Sequence, residues 1–234
     1  MPIAIVTGAT KGIGRAISEA LIGIGYDLVV CSRNAADLDN MKNKLLSQYP
    51  SRNVTTYVAD MGQKKDVLAF AENIKSVYSQ IDILVNNAGV FIPGQLLEEA
   101  DGTLETMIDT NLFSAYHLTR NLVNLMRPHK KGHIFNICSV ASLSPYPHGH
   151  SYSISKYAML GFGQCLRNEL KPDGIKVTNI MPGATWSHAW AGATLPDDRL
   201  MQATDIAEIV VSALRLGPNA CIEDIIVRPQ LGDL

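Results

Sequence analysis

Of the eight tyrosines in the chain, Tyr152 alone is followed four positions later by a lysine, Lys156. On a helix that spacing puts both side chains on one face, about one turn apart. The pair suits proton transfer to a carbonyl oxygen, which gains negative charge when its carbon is reduced. A free phenol ionises near pH 10, roughly three units too high for easy exchange near neutrality, and a neighbouring ammonium favours the phenolate. Tyr152 is therefore the candidate general acid/base, with Lys156 tuning it. Ser139 follows an apolar run and stands 13 positions before Tyr152. Its hydroxyl is the candidate holder of the substrate oxygen. A serine hydrolase is disfavoured, because no G-x-S-x-G elbow occurs.

A second constellation lies at the N-terminus. Residues 7–14 read Thr-Gly-Ala-Thr-Lys-Gly-Ile-Gly, between a strand pattern and a helix pattern. Glycines there permit a tight turn and close approach of a ligand to the backbone. The following helix offers free N–H groups and the positive end of its dipole to a pyrophosphate. An acid ending the second strand would favour NAD. That end instead reads Cys31-Ser32-Arg33-Asn34, and Arg33 offers a planar donor fork suited to a 2′-phosphate. Lys11 can reach the same group, so NADP(H) is the expected cofactor.

The G-x-x-x-G-x-G spacing of Gly8, Gly12 and Gly14, with Ser139, Tyr152 and Lys156, resembles the short-chain dehydrogenase/reductase family over essentially the whole chain. The resemblance implies a tetrad of Asn111, Ser139, Tyr152 and Lys156. Asn111 is expected mid-helix, helping to hold a water linked to the lysine, and Lys156 is also expected to bind the cofactor ribose. The cofactor set implied is Gly8, Thr10, Lys11, Gly12, Ile13 and Gly14 in the turn, Ser32 and Arg33, and Asp60 and Met61 at the adenine. Asn87, Ala88 and Gly89 of the N-N-A-G segment belong to it as well, as do Tyr152, Lys156, Pro182, Gly183, Thr185 and Ser187. Asp60 reads equally as a cap for the helix after it. The chain end and the segment 182–190 are similar to bacterial sepiapterin-reductase-like members.

The elements that must position these residues alternate along the chain. Short β-branched runs fall at about 3–7, 27–32, 53–59, 81–86, 132–138, 175–181 and 222–228. Helical patterns fall at about 12–24, 35–48, 63–79, 103–127, 151–171 and 204–216, with Thr204 as the expected cap of the last. Several strands are apolar at consecutive positions, as suits strands covered on both faces. Repeated β-α units predict an α/β fold, a single Rossmann-type doubly wound parallel sheet of about seven strands with helices on both faces. The expectation is one cofactor-binding domain over 1–234. The irregular stretch 183–203 is its substrate loop. Trp186 and Trp190 in it, with Tyr146 in the loop after Ser139, are the expected ring surfaces for a planar carbonyl substrate. A hydrophobic lid unrelated to substrate explains these rings equally well.

Composition sets the outer limits. The chain has 234 residues and a formal net charge of −2, which argues against nucleic-acid binding. No apolar run is long enough to span a membrane, and the N-terminus lacks a cleavable leader pattern. Cys31, Cys138, Cys165 and Cys221 sit far apart in apolar runs, so buried free thiols and a reducing cytoplasm are expected. His148 and His150 lack a third ligand, so no metal is expected. The expected reaction is NADPH-dependent reduction of a small ketone or aldehyde, or the reverse, and a pterin side-chain carbonyl is among the candidates. A nucleotide-sensing protein of the same fold is the alternative. The family also implies a homodimer or homotetramer packed through the 103–127 and 151–171 helices.

Overall fold

The computed structural model describes residues 1–186, 196 and 199–233. Seven strands form one parallel sheet: β1 (Ile3–Thr7), β2 (Asp27–Ser32), β3 (Val54–Val58), β4 (Ile83–Asn86), β5 (Gly132–Ile137), β6 (Ile175–Pro182) and β7 (Asp224–Val227). Their order is β3-β2-β1-β4-β5-β6-β7. The chain winds outward from β1 in one direction, then restarts at β4 and winds outward in the other. The reversal between β1 and β4 opens a crevice at the carboxyl ends of the strands, where ligands bind in such sheets.

Both sheet faces are covered, as the consecutive apolar residues require. Ala4 and Val6 of β1 pack with Ile17 and Leu21 of α1 (Gly12–Gly23), Leu38 and Leu45 of α2 (Ala35–Gln48), and Ile206 and Val210 of α7 (Ala203–Arg215). Ile5, between them in sequence, points to the other face. There it meets Phe70 and Ile74 of α3 (Lys64–Val77) and Leu118 and Leu122 of α5 (Ser114–Leu122). α6 (His150–Leu170) lies against β6 and carries Tyr152 and Lys156.

Three local features differ from the expected elements. The helix anticipated over 103–127 is split: α4 (Thr103–Ile108), a π-helical turn at Asp109–Phe113, α5, and two short 3-10 turns. The wide turn holds Asn111, and such turns recur at functional sites. The cap of α7 is Gln202, not Thr204, and the Gln202 backbone N–H donates to Asp205 at 2.8 Å. Cys31 and Cys138 are buried thiols, whereas Cys165 is exposed on the outward face of α6 and Cys221 is half-buried. Among the described residues no helix is long and apolar enough to cross a membrane, and no group of three or more metal-ligating side chains occurs.

Candidate active site

The glycine turn is built around conformations that side chains resist. Gly8 and Gly12 have φ of 63° and 50°, in the left-handed region that glycine adopts without steric cost. Gly14 serves packing: a Cβ there would stand 2.3 Å from Asn87 Nδ2 and 2.4 Å from the Gly8 carbonyl oxygen. Asn87 in turn donates its amide to the Thr7 and Gly8 carbonyls at 2.8 and 3.1 Å. The Thr7 hydroxyl accepts from the backbone N–H groups of Asn87 and Ala88, both at 3.0 Å. The end of β1 and the N-N-A-G segment after β4 thus brace each other across the switch point.

α1 begins at this turn with no side-chain cap and no acidic residue in its first turn. Its first N–H groups face the cleft without an internal acceptor, as an anion site requires. The cleft has a volume of about 980 Å³, at the upper end of the range for small-molecule sites. Gly8, Thr10, Lys11, Gly12 and Ile13 line one end, with Ser32, Arg33, Asp60 and Met61. Asn87, Ala88 and Gly89 line its floor, and Ser139, Tyr152, Lys156, Pro182, Gly183 and Thr185 the other end. These residues fit an extended dinucleotide with its diphosphate at α1.

Two of the cofactor-end side chains also have local duties. Thr10 and Ser32 share a hydroxyl–hydroxyl bond of 3.0 Å, which joins the glycine turn to the end of β2. Asp60 Oδ1 accepts from the Gly62 N–H at 3.0 Å and the Asp60 carbonyl from Gln63 at 2.9 Å. The Asp60 carboxylate thus closes the turn ahead of α3 and does not cap the helix, whose N-cap is Gln63 with no side-chain cap bond.

At the reactive end, α6 presents Tyr152 and Lys156 on one face. Lys156 is buried, 4% exposed, and its Nζ donates to the Ile137 carbonyl at 2.8 Å. That Nζ lies 5.7 Å from the centre of the Tyr152 ring. One ammonium hydrogen is spent on β5 and two remain for other acceptors. Ser139 caps a 3-10 turn by accepting from the Ala141 N–H at 3.1 Å. Its own hydroxyl proton stays free to donate.

Asn111 does not line the cleft. Its side chain accepts from Val90 N–H at 2.7 Å and donates to the Val90 carbonyl at 3.0 Å. It also donates to Ser155 Oγ at 2.9 Å. Asn111 thereby ties the segment after β4 to α6, one residue from Lys156. A Cβ at Gly89 would stand 3.2 Å from Asn111 Oδ1 and 3.6 Å from Lys156 Nζ. Glycine leaves this close approach to Asn111 uncrowded.

Sequence reading missed Phe91, Asp37 and Asp233, which all line the cleft. Phe91 packs edge-to-face on Tyr152 and on Tyr146, with ring centres 5.2 and 6.0 Å apart. A lone aromatic in an irregular segment carries no signal of such a role. Asp233 arrives from the chain end, where it pairs with Arg228. Arg199 holds the same tail through the Gly232 and Asp233 carbonyls, at 2.8 Å each. Tyr146 lines the cleft and Trp186 does not, although it borders Thr185. Ser187 and Trp190 lie outside the described residues.

The short chain dehydrogenase family model matches residues 2–195. The chain belongs to the short-chain dehydrogenase/reductase family. Sepiapterin reductase of Chlorobaculum tepidum is 34% identical over 99% of this chain and 98% of its own length. Among solved structures, a metagenomic short-chain oxidoreductase in complex with NADP has a TM-score of 0.85 and 27% identity, over 98% of this chain and 97% of that one. An alcohol dehydrogenase from Thermococcus sibiricus complexed with 5-hydroxy-NADP, at 24% identity and a TM-score of 0.90, covers 100% of this chain and 99% of its own. It shares the fold. As a family member the chain is an NADP-dependent oxidoreductase, and its seven-strand parallel sheet is the family's fold.

Proposed function

We propose that the protein is an NADPH-dependent reductase of a small ketone or aldehyde, working in reverse as an alcohol dehydrogenase. The observation that carries this reading is one cleft lined by the uncapped start of α1 at one end and by Ser139, Tyr152 and Lys156 at the other. Complexes of relatives with NADP agree with it. So does the absence of an acid at the end of β2, where Arg33 stands instead.

Bound NADPH supplies the hydride that reduces the carbonyl carbon. The remaining steps belong to the chain. Ser139 donates its hydroxyl proton in a hydrogen bond to the carbonyl oxygen and holds it beside Tyr152. Tyr152 gives its phenolic proton to that oxygen as the hydride arrives, leaving an alcohol and a phenolate. Lys156 stabilises the phenolate until solvent returns a proton. Asn111 is a positioning residue, keeping Val90 and α6 in register through Ser155. Lys11, Arg33, Asp60 and Met61 hold the adenosine end, and Thr185 with the Pro182-Gly183 backbone holds the nicotinamide end.

Tyr146 and Phe91 line the cleft beside Tyr152 and favour a planar carbonyl compound. The sepiapterin reductase relative supports a pterin side-chain carbonyl as one candidate. Residues 1–234 act as one cofactor-binding domain, with 183–203 as the substrate cover. Exposed Phe113, Ile154 and Tyr157 support pairing of protomers through α4–α5 and α6.

The test is NADPH oxidation against a panel of pterins, diketones and 3-oxo acids, with wild type beside Tyr152→Phe. Turnover of at least one carbonyl, lowered about a thousandfold or more in the variant, is expected. NADPH affinity should fall by less than about threefold. Tight NADPH binding without turnover of any carbonyl would instead favour a nucleotide sensor, and undiminished turnover in the variant would remove Tyr152 from its role.

A further inference from the structure

Four charged side chains line the adenosine end of the cleft: Lys11, Arg33, Asp37 and Asp60. Asp60 is engaged by the Gly62 N–H. Among the described residues Arg33 forms no ion pair or hydrogen bond. Lys11 and Asp37 pair with each other, Nζ to Oδ2, at 3.2 Å. Both remain open to a ligand, with side chains 59% and 33% exposed.

Asp37 is not required there by the helix that carries it. It is the third residue of α2, and the capping bond runs from its backbone N–H to Asn34 Oδ1 at 3.0 Å. Any residue but proline at position 37 leaves that bond intact. The carboxylate adds a modest favourable interaction with the helix dipole. What it does in the cleft is neutralise one of two cations.

From this pairing we propose that Asp37 is a specificity-determining residue that restrains the preference for NADPH over NADH by holding Lys11. The inference rests on the NADP(H) reading above. A phosphomonoester carries about −1.5 to −2 charges near pH 7 and seeks cationic donors. Arg33 is free to meet a 2′-phosphate, but Lys11 has to share its ammonium between that phosphate and Asp37. The carboxylate also stands near the incoming anion and repels it. NADH makes neither demand, since its adenosine ribose presents neutral hydroxyls. A protein with Lys11 released would therefore discriminate more sharply for the phosphorylated cofactor.

The decisive measurement is a double-mutant cycle read by cofactor binding, which needs no knowledge of the carbonyl substrate. Wild type, Asp37→Asn, Lys11→Ala and the double variant are titrated with NADPH and with NADH by calorimetry, at low and at high salt. Asp37→Ala is a second check, and thermal melts confirm that each variant folds. Asp37→Asn is expected to tighten NADPH binding about fivefold at low salt and to change NADH by less than about twofold. In the Lys11→Ala background the same substitution should change NADPH affinity by less than about twofold. High salt should shrink the gain.

Unchanged or weaker NADPH binding in Asp37→Asn would overturn the proposal. So would an equal gain for NADH, or an undiminished gain without Lys11. A wild type that binds NADH and rejects NADPH would refute the cofactor reading itself. In that protein Asp37→Asn must still create measurable NADPH binding if Asp37 is the restraint, and its failure to do so would refute both.

Discussion

The two ends of three neighbouring strands, β4, β5 and β6, are in opposite chemical situations. At their amino ends the polar groups are closed on one another. His133, the second residue of β5 and beside Lys176 of β6, shares a bond of 2.8 Å with Thr178 and stacks on Phe135 with ring centres 3.9 Å apart. Thr178 donates its own proton to the Ile222 carbonyl. It must therefore accept from the imidazole, which fixes the Nε2–H tautomer. Further along, a registered ladder runs from the last residue of β4 across β5 and β6 to the first of β7: Asn86 to Asn136 at 3.0 Å, Asn136 to Asn179 at 2.9 Å, and Asn179 to Asp224 at 2.8 Å. At the carboxyl ends the equivalent groups hold bonds in reserve. Ser139 keeps its proton and Lys156 two of its three. Polar groups buried below the ladder serve stability, and those above it face a ligand.

The largest effect that sharpens this contrast is expected from Gly163, on the inner face of α6. A Cβ there would stand 1.8 Å from Asn179 Oδ1 and 2.7 Å from Asn136 Nδ2. Both amides are buried and committed to the ladder, so neither has room to yield. Gly163→Ala should cost about 3 kcal/mol, or roughly 10 °C in melting temperature, read by calorimetry. A melting temperature within about 2 °C of wild type would mean that the ladder is soft, and the contrast between closed and open ends would weaken.

The closed end also predicts a pH signature. Burial, with Lys176 nearby, pushes the His133 imidazole down from 6.5 to about 3. The folded protein therefore keeps His133 neutral where the unfolded chain takes up a proton. Stability is then full above pH 6.5 and falls as pH drops from 6.5 toward 3, by up to about 1.4 kcal/mol per unit. Between pH 7 and 5 the loss from this residue amounts to about 2 kcal/mol. Denaturant melts of wild type and His133→Gln across that interval should show the variant with the shallower dependence. Equal slopes would place the acid sensitivity elsewhere.

What was legible in the sequence follows the same division. Strand and helix order came through because every β-α unit repeats an apolar pattern. The glycine turn and the placing of Tyr152 and Lys156 on one helical face came through because their geometry is local. Asn111 was legible as a residue, but not its π-helical turn or its grip on Val90, because the two meet only when the segment after β4 folds against the helices. Phe91 and Asp233 reach the cleft by tertiary folding alone. His133 read as an ordinary strand residue, since nothing in a single strand says which neighbour will occupy its ring. The expected Thr204 cap gave way to Gln202 because Asp205 completes a reciprocal pair with it.

At the open end, Arg33 tests the adenosine side. Arg33→Ala should weaken NADPH binding about tenfold, equivalent to about 1.4 kcal/mol, while NADH shifts by less than about twofold. Equal losses for both cofactors would mean that Arg33 contacts the adenine or ribose and not a 2′-phosphate. Either result leaves stability near wild type, because Arg33 makes no bond that the fold uses.

The smallest effect belongs to Phe91, at the substrate side of the same end. Its ring meets Tyr152 and Tyr146 edge-on and is 40% exposed, so it offers a surface to a ligand as well as support to Tyr152. Phe91→Ala should raise KM for an aryl ketone about threefold and leave a small aliphatic ketone nearly unchanged, since a partly exposed aromatic contact contributes about 0.5–1 kcal/mol. A uniform fall in kcat for both substrates, with a displaced pH optimum, would identify Phe91 as a support for Tyr152 and take it out of the substrate wall. The two outcomes separate because support acts on the proton donor, which every substrate shares, whereas a wall acts only on the part of the substrate that touches it.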